Sequence, residues 1–390
     1  MDEDGHLPDS FKVSDAGTMS MLSESGSDYL VNTGGLTKVT SPSMSQSPVS
    51  MDGRPSSATS SQGGEQYFNC RASELEKLGR LGAGASGTVF KARHVPSNTL
   101  VALKQINALD SETRRQILNE MRTLCNNPNA PGLVRFYGAY YVAARGQMCI
   151  ALEYMNGGSL EDFAKVLPGN KLPEPALSII VGRVLVGLDY LHRIRYMVHR
   201  DIKPANILMN LTGEVKITDF GISTALGSTL GLAGTYVGTM HYMSPERQEN
   251  YPYSYDADIW SLGLTVLHLA TGKYPYDLDG GIAGLAFQVV GEPAPTPKSE
   301  DRCSTSLTDF VARCLQKDPK LRPSAADLLR HPFVAAAAAA AACSAAASRG
   351  AGDGSDYAAQ AAALAGFVRG LVPDADERIA EDALLCDPPF

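Results

Sequence analysis

The stretch VHRDIKPANIL, Val198 to Leu208, constrains this chain more than any other part of its sequence. It crowds His199, Arg200, Asp201, Lys203 and Asn206 into one short polar segment. Before it, ALSIIVGRVLVGLDYLH carries apolar residues at helical spacing. After it, ITDFGIS brings a second aspartate, Asp219, with Phe220 beside it. Asp201 is placed to accept a proton from an attacking hydroxyl, and Lys203 to screen charge growing on a transferred phosphoryl group. Asn206 offers a side-chain oxygen to a hard cation, and Asp219 a carboxylate that bridges Mg²⁺ to phosphates. His199 reads as a structural core histidine. Each piece alone could be a polar turn; their order and spacing together argue against chance.

Two further elements stand upstream. Leu81-Gly82-Ala83-Gly84-Ala85-Ser86-Gly87-Thr88-Val89 spaces its glycines so that backbone amides can approach a phosphate without a Cβ in the way. Taken alone this is a weak signal, equally suited to a dinucleotide-binding turn or a flexible hairpin. It runs on into another strand-like segment, not a helix, which favours a lid over phosphates. Next, Val101-Ala102-Leu103-Lys104 sets a lysine in an apolar strand. Burying an unpaired ammonium is costly, so Lys104 calls for an anion unless it sits on an exposed edge. Glu120, in the helix-like run RRQILNEMRTL, is a suitable partner that would aim Lys104 at the α- and β-phosphates of a nucleotide.

Residues 75–333 resemble a eukaryotic protein kinase, whose signature elements all stand in this sequence. The resemblance implies an α+β, bilobal fold, with a small antiparallel β-rich N-lobe and a larger α-helical C-lobe. It implies a cleft that binds ATP with Mg²⁺. Ala102 and Leu208 would sandwich the adenine, Leu152 would act as gatekeeper, and Glu153 to Met155 would form a hinge whose backbone reads the adenine edge. Asp258 of DIWSLG would support the loop around Asp201, and Glu246 of MSPER would pair with Arg322 of KLRPS.

Outside this span the composition changes. Residues 1–70 are rich in Ser, Gly, Asp and Thr and are expected to be disordered, since they offer little apolar surface to offset ordering entropy. Residues 334–390 are alanine-rich and read as a low-complexity tail in which short helices can form, because alanine favours helix but gives it little to pack with. The net charge of -8 argues against a nucleic-acid-binding surface. The seven cysteines are scattered, without CxxC pairs or His/Cys clusters, which favours free thiols over disulfides or zinc. No secretory leader is evident at the N-terminus, and the apolar run Val334–Cys343 is too short to span a membrane. The expected compartment is the cytoplasm, with the nucleus as a second location.

GTMHYMSPER, EYMNGGSLEDF and HRDIKPAN narrow the resemblance to MAP kinase kinases of the STE type. Thr229 and Thr235, separated by five residues in STLGLAGTYVGT, match the plant type's pair of activation-loop hydroxyls. Phosphates there would order a glycine-loosened switch against basic groups such as Arg200. Thr239 would contact Asp201 and Lys203. The subgroup most resembled usually carries a nuclear-transport-factor-like domain after the kinase; ending at Phe390, the chain is expected to lack it. The implied activity is dual-specificity transfer of the ATP γ-phosphoryl group to Thr and Tyr of a MAP kinase Thr-x-Tyr loop, under an upstream MAP kinase kinase kinase. The alternatives are a serine/threonine kinase of a neighbouring tier and a pseudokinase scaffold, the latter opposed by the presence of Lys104, Asp201 and Asp219. No basic docking cluster precedes Arg71.

Overall fold

A computed structural model describes residues 11–13, 19–22, 27–32, 35–40, 71–84, 87–107, 130–219, 240–335, 355–371 and 374–386. Ala85, Ser86, Glu120, Phe220, Thr229, Thr235 and Thr239 lie outside these residues, as does most of the eight-alanine run. The chain divides into two compact units; Phe136–Leu152 belongs to the first, and Asn129–Arg135 and the chain from Glu153 onward to the second.

The first unit is built of strands. Phe11–Val13 (β1), Met19–Leu22 (β2), Ser27–Asn32 (β3) and Gly35–Thr40 (β4) form a four-stranded antiparallel meander in sequence order. These short strands are the described part of residues 1–70. Composition averages over that region; SDYLVN and GLTKVT, however, carry aromatic and β-branched residues that suit strands, and they pair from Asn32↔Gly35 outward. Leu75–Gly84 (β5), Gly87–His94 (β6), Thr99–Asn107 (β7), Phe136–Val142 (β8) and Gln147–Glu153 (β9) form a second sheet, ordered β5-β6-β7-β9-β8. β3 and β4 lie against its edge strand β8. Ala92, Val101, Leu103, Tyr140, Cys149 and Ala151 make the core on one face of this sheet.

The second unit is mostly helical. Gly158–Ser159 (β10), Ile207–Met209 (β11) and Val215–Ile217 (β12) form a small antiparallel sheet. Its helices are Leu160–Lys165 (α1), Glu174–Asp189 (α2), Pro245–Gln248 (α3), Asp256–Thr271 (α4), Gly281–Gly291 (α5), Thr305–Cys314 (α6), Ala325–Leu328 (α7), Ser355–Leu371 (α8) and Ala375–Cys386 (α9). α4 packs against α2 and α6, and is buried almost along its whole length around Trp260. Glu174–Ile194 is long and apolar enough to cross a membrane, but two thirds of its most apolar window is buried, as in the core helix of a folded domain.

The alanine-rich C-terminal stretch carries two helices among the described residues. α8 is anchored: Leu364 and Val368 are buried, and the Phe367 ring meets Phe163 edge-on at 5.9 Å. These residues sit at helical spacing on one face, so a few large side chains hold a helix that alanine forms readily. Arg369 Nε donates to the carbonyl of Leu211 at 3.2 Å. Gly213, at φ +86°, lets the turn between β11 and β12 approach α8; a Cβ there would lie 2.0 Å from the Ala361 carbonyl oxygen. On α9, Asp382 accepts from Asn156 Nδ2 at 2.9 Å.

Candidate active site

The loop between α2 and β11 carries the polar segment. Its shape is fixed from below by Asp258 on the first turn of α4. One Asp258 oxygen accepts the main-chain N–H of Arg200 at 2.8 Å. The other accepts that of His199 at 2.7 Å and bonds the His192 ring Nε2 at 2.9 Å. Asp258 is fully buried. Burial works to raise its pKa, but the hydrogen bond and charge of His192 outweigh this and hold the carboxylate below its usual range. Arg200 adopts φ +74°, a strained conformation for a residue with a side chain, and its two-sided capture by Asp258 and by Arg247, which donates to its carbonyl at 2.7 Å, keeps it there.

His199 is buried and bonded on both nitrogens. Its Nδ1 accepts from the main-chain N–H of Asp201 at 3.2 Å, which leaves Nε2 to donate to the carbonyl of Thr218 at 3.0 Å. Burial drives its pKa down, so it is neutral. It joins the Asp201 loop to the strand that ends at Asp219, a structural role as the sequence suggests.

The Asp201 carboxylate is 95% buried and reached by two neighbours. Lys203 Nζ lies 2.8 Å from its Oδ2, and Asn206 Nδ2 donates to the same oxygen at 2.8 Å and to the Asp201 carbonyl at 2.8 Å. With its amide hydrogens engaged in this way, Asn206 has its side-chain oxygen left to meet a cation. Its carbonyl accepts from the Thr218 N–H at 3.0 Å, which sets Asp219 next in line; Asp219 adopts φ +62°. An amide oxygen and a carboxylate are hard donors of the kind Mg²⁺ accepts beside water and phosphate oxygens, so these residues fit that ion. Among the described residues no group of three or more His, Cys, Asp or Glu gathers to hold a softer metal.

In the first unit the register Val89↔Lys104 and Lys91↔Ala102 places Val89, Ala102 and Lys104 on one face of the sheet. Val101 and Leu103 point the other way, into the core. Lys104 is buried. Gly87 has φ +128°, and a Cβ there would lie 2.1 Å from the Gln105 carbonyl oxygen, so the return from the glycine-rich turn requires glycine. Leu81, Gly82, Ala83 and Gly84 are exposed in β5. In the second unit Met155 is buried and Leu208 half-buried, in strand β11. Glu153 presents its carboxylate to Lys216 Nζ, at 2.7 and 2.8 Å, and to the Arg135 N–H at 2.9 Å.

The Glu246–Arg322 pair forms as a bidentate bridge, at 2.7 and 2.8 Å, with the Arg322 side chain fully buried. Burial raises the Glu246 pKa, but Arg322 more than offsets it and holds the group below its usual range. Sequence reasoning did not single out His192, Lys216 or Asn156. His192 stands in the apolar LDYLH run, and only its distance to Asp258 in space gives it a role. Lys216 alternates with Val215 and Ile217, the pattern of a strand lysine on its polar face.

A sheet presenting a buried strand lysine, and a helical unit in which an Asp-Lys-Asn loop is pinned by an α4 aspartate, define a protein kinase. The protein kinase domain family matches residues 75–334. The chain is 47% identical over 326 residues to mitogen-activated protein kinase kinase 3 of Arabidopsis thaliana, covering 84% of this chain and 59% of that one. It is 41% identical over 288 residues to mitogen-activated protein kinase kinase 1c of Physcomitrium patens, covering 72% and 82%. It is 39% identical over 289 residues to the dual specificity mitogen-activated protein kinase kinase dSOR1 of Drosophila melanogaster, covering 68% and 71%. The chain belongs to the protein kinase family and, within it, to the mitogen-activated protein kinase kinases. It spans 59% of the length of the Arabidopsis relative.

Proposed function

We propose that this chain is an ATP-dependent, dual-specificity MAP kinase kinase. It transfers the γ-phosphoryl group of ATP to the Thr and the Tyr of a MAP kinase Thr-x-Tyr loop. It is itself switched on by a MAP kinase kinase kinase that phosphorylates Thr229 and Thr235, and it works in the cytoplasm with access to the nucleus. The observation that carries the reading is the Asp201 carboxylate, held by Lys203 and Asn206 on a loop that Asp258 pins.

Asp201 orients the acceptor hydroxyl and takes its proton as the O–P bond forms. The opposite oxygen of ADP leaves in line. Lys203, in contact with the same carboxylate, screens charge on the moving phosphoryl group. By its resemblance to the kinases, Lys104 would position the α- and β-phosphates with Glu120 as its expected partner, and Ala102, Leu208 and the segment Glu153–Met155 would be the adenine-binding residues. Asn206 and Asp219 would hold Mg²⁺, which would supply neutralisation of charge on the phosphates.

The test is a phosphosite map. The chain with Thr229→Asp and Thr235→Asp is incubated with Mg-ATP and a catalytically dead MAP kinase. Phosphate on both Thr and Tyr of that kinase's loop is the expected result. Phosphate on Ser or Thr alone would move the chain to a neighbouring tier. ATP binding without transfer would make it a scaffold.

A further inference from the structure

Met155 is followed at once by a turn that fastens it to strand β11. The Gly157 N–H donates to the Met209 carbonyl at 3.0 Å, and the Gly158 N–H to the Met155 carbonyl at 3.1 Å. Gly158 and Ser159 then pair with Met209 and Leu208. The Asn156 side chain closes the far end of this joint, where its Oδ1 accepts the Leu211 N–H at 2.9 Å. Met155 and Leu208, two residues that the kinase resemblance assigns to the adenine, therefore flank one hydrogen-bonded joint.

Both helices beyond residue 334 take hold of that joint. From α9, Asp382 accepts from Asn156 Nδ2 at 2.9 Å. From α8, Arg369 Nε donates to the Leu211 carbonyl at 3.2 Å. Leu211 is fully buried, so its main-chain groups need partners inside the protein; the N–H has Asn156 and the carbonyl has Arg369. A charged group on the outer side of each contact strengthens the bond. α8 is itself seated along its length. Arg183 Nη2 donates to the Tyr357 carbonyl at 3.0 Å near the start of the helix, Leu364 and Val368 are buried, and Phe367 meets Phe163 of α1, which runs on directly from β10.

We propose that Arg369 and Asp382 are positioning residues for the nucleotide: by fixing Leu211 and Asn156 they hold Leu208 and Met155 at the spacing that receives the adenine. This rests on the reading that Met155 and Leu208 belong to the ATP site. The two residues act through a main-chain carbonyl and a side-chain amide, not on the reacting atoms. A small displacement of a positioning group weakens what it positions. Coupling between two sites is reciprocal, so a bound nucleotide tightens α9 by the same factor that α9 tightens the nucleotide.

The experiment uses the full chain, Mg²⁺ and a fluorescent, non-hydrolysable ATP analogue. The dissociation constant is read for the unaltered chain, for Arg369→Ala with Asp382→Ala, for Asp382→Asn, and for Arg378→Ala. Arg378 pairs with Asp374 at the start of α9 and serves as the control. The double variant is expected to bind about fivefold more weakly. Asp382→Asn keeps an oxygen for Asn156 Nδ2, and with Arg378→Ala it should stay within about twofold of the unaltered chain. In the double variant, amide exchange at Gly157 and Leu211 should accelerate without nucleotide, and added nucleotide should no longer slow exchange across 375–386. Urea unfolding of the nucleotide-free forms separates lost affinity from lost fold. Arg369 is exposed and Asp382 half-buried; should the double variant still unfold, Arg369→Ala alone carries the test with a loss of about threefold. Equal affinity in the unaltered chain and the folded variants would overturn the proposal. So would an equal loss in Arg378→Ala, which would mark a general loosening of the helix. An unaltered chain that binds no nucleotide would overturn the ATP-site reading first, and the proposal with it.

Discussion

Asp258 receives the main-chain N–H groups of both His199 and Arg200, at 2.7 and 2.8 Å, from the first turn of α4. The loop that presents Asp201 is thus hung on a side chain more than fifty positions away. Asp258→Ala leaves two buried N–H groups and the His192 ring without this acceptor, and is expected to cost on the order of 3 kcal/mol or more of stability. Asp258→Asn retains the shape but loses the charge. It should still bind nucleotide while phosphoryl transfer falls by roughly a hundredfold or more, the scale of losing preorganisation. Urea unfolding and single-turnover transfer, measured on the two variants, separate these effects.

The bridge between Glu246 and Arg322 makes a second prediction. Arg322→Ala strands a buried carboxylate and should destabilise the second unit by about 3–5 kcal/mol. Replacing both residues by apolar ones of similar volume should cost much less. Thermal unfolding of the single and double variants checks the difference.

Acid sensitivity follows from the same groups. Glu246 and Asp258 have pKa values held down in the folded state, and His199 is buried neutral. For groups whose folded pKa is depressed, the unfolded chain binds more protons, so the stabilisation is present at neutral pH and lost as pH falls. His199 contributes to the loss as pH drops below its ordinary value of 6.5, and Glu246 below about 4.5. Stability measured by chemical denaturation from pH 7 to pH 4 should decline monotonically. In Glu246→Gln the decline should flatten at the acid end.

Lys104→Met should abolish transfer while the protein remains folded, since the methylene stem keeps its packing in β7 and only the ammonium is lost. Thr229→Asp with Thr235→Asp should raise activity over the unaltered chain. Equal activities in a radiolabelled ATP assay would count against the two-site switch.

Gly213→Ala should loosen α8. The new Cβ meets the Ala361 carbonyl, and the positive φ strains any side chain. Amide exchange in 355–371 should accelerate, with exchange in α4 unchanged.

The contiguous site was the legible part. Asp201, Lys203 and Asn206 stand within a few positions of one another, so the sequence brings them together before any folding. Asp258 and the Glu246–Arg322 bridge were legible only through the family resemblance, because nothing local marks an aspartate in DADIW as a loop anchor. Their geometry agrees with that expectation. The N-terminal strands are hard to read because a serine-rich region swamps two short runs that carry Tyr29, Leu30, Val31, Leu36 and Val39. The docking of α8 was hidden for another reason. Its meaning lies in Phe163, Arg183, Leu211 and Gly213, each more than 140 positions away, and alanine-rich sequence announces a helix without saying what it will touch.

Asn156 follows Met155 directly, and its side chain has two hands. Its oxygen accepts the Leu211 N–H at 2.9 Å, and its nitrogen reaches Asp382 on α9. The match to the protein kinase domain family ends at residue 334, and the helices α8 and α9 lie beyond it. A catalytic fragment cut at that boundary would bare the seats of Leu364 and Val368 and release one grip on the residue beside the hinge. For this chain, the span matched by the kinase domain family and the span that packs as the second unit have different ends.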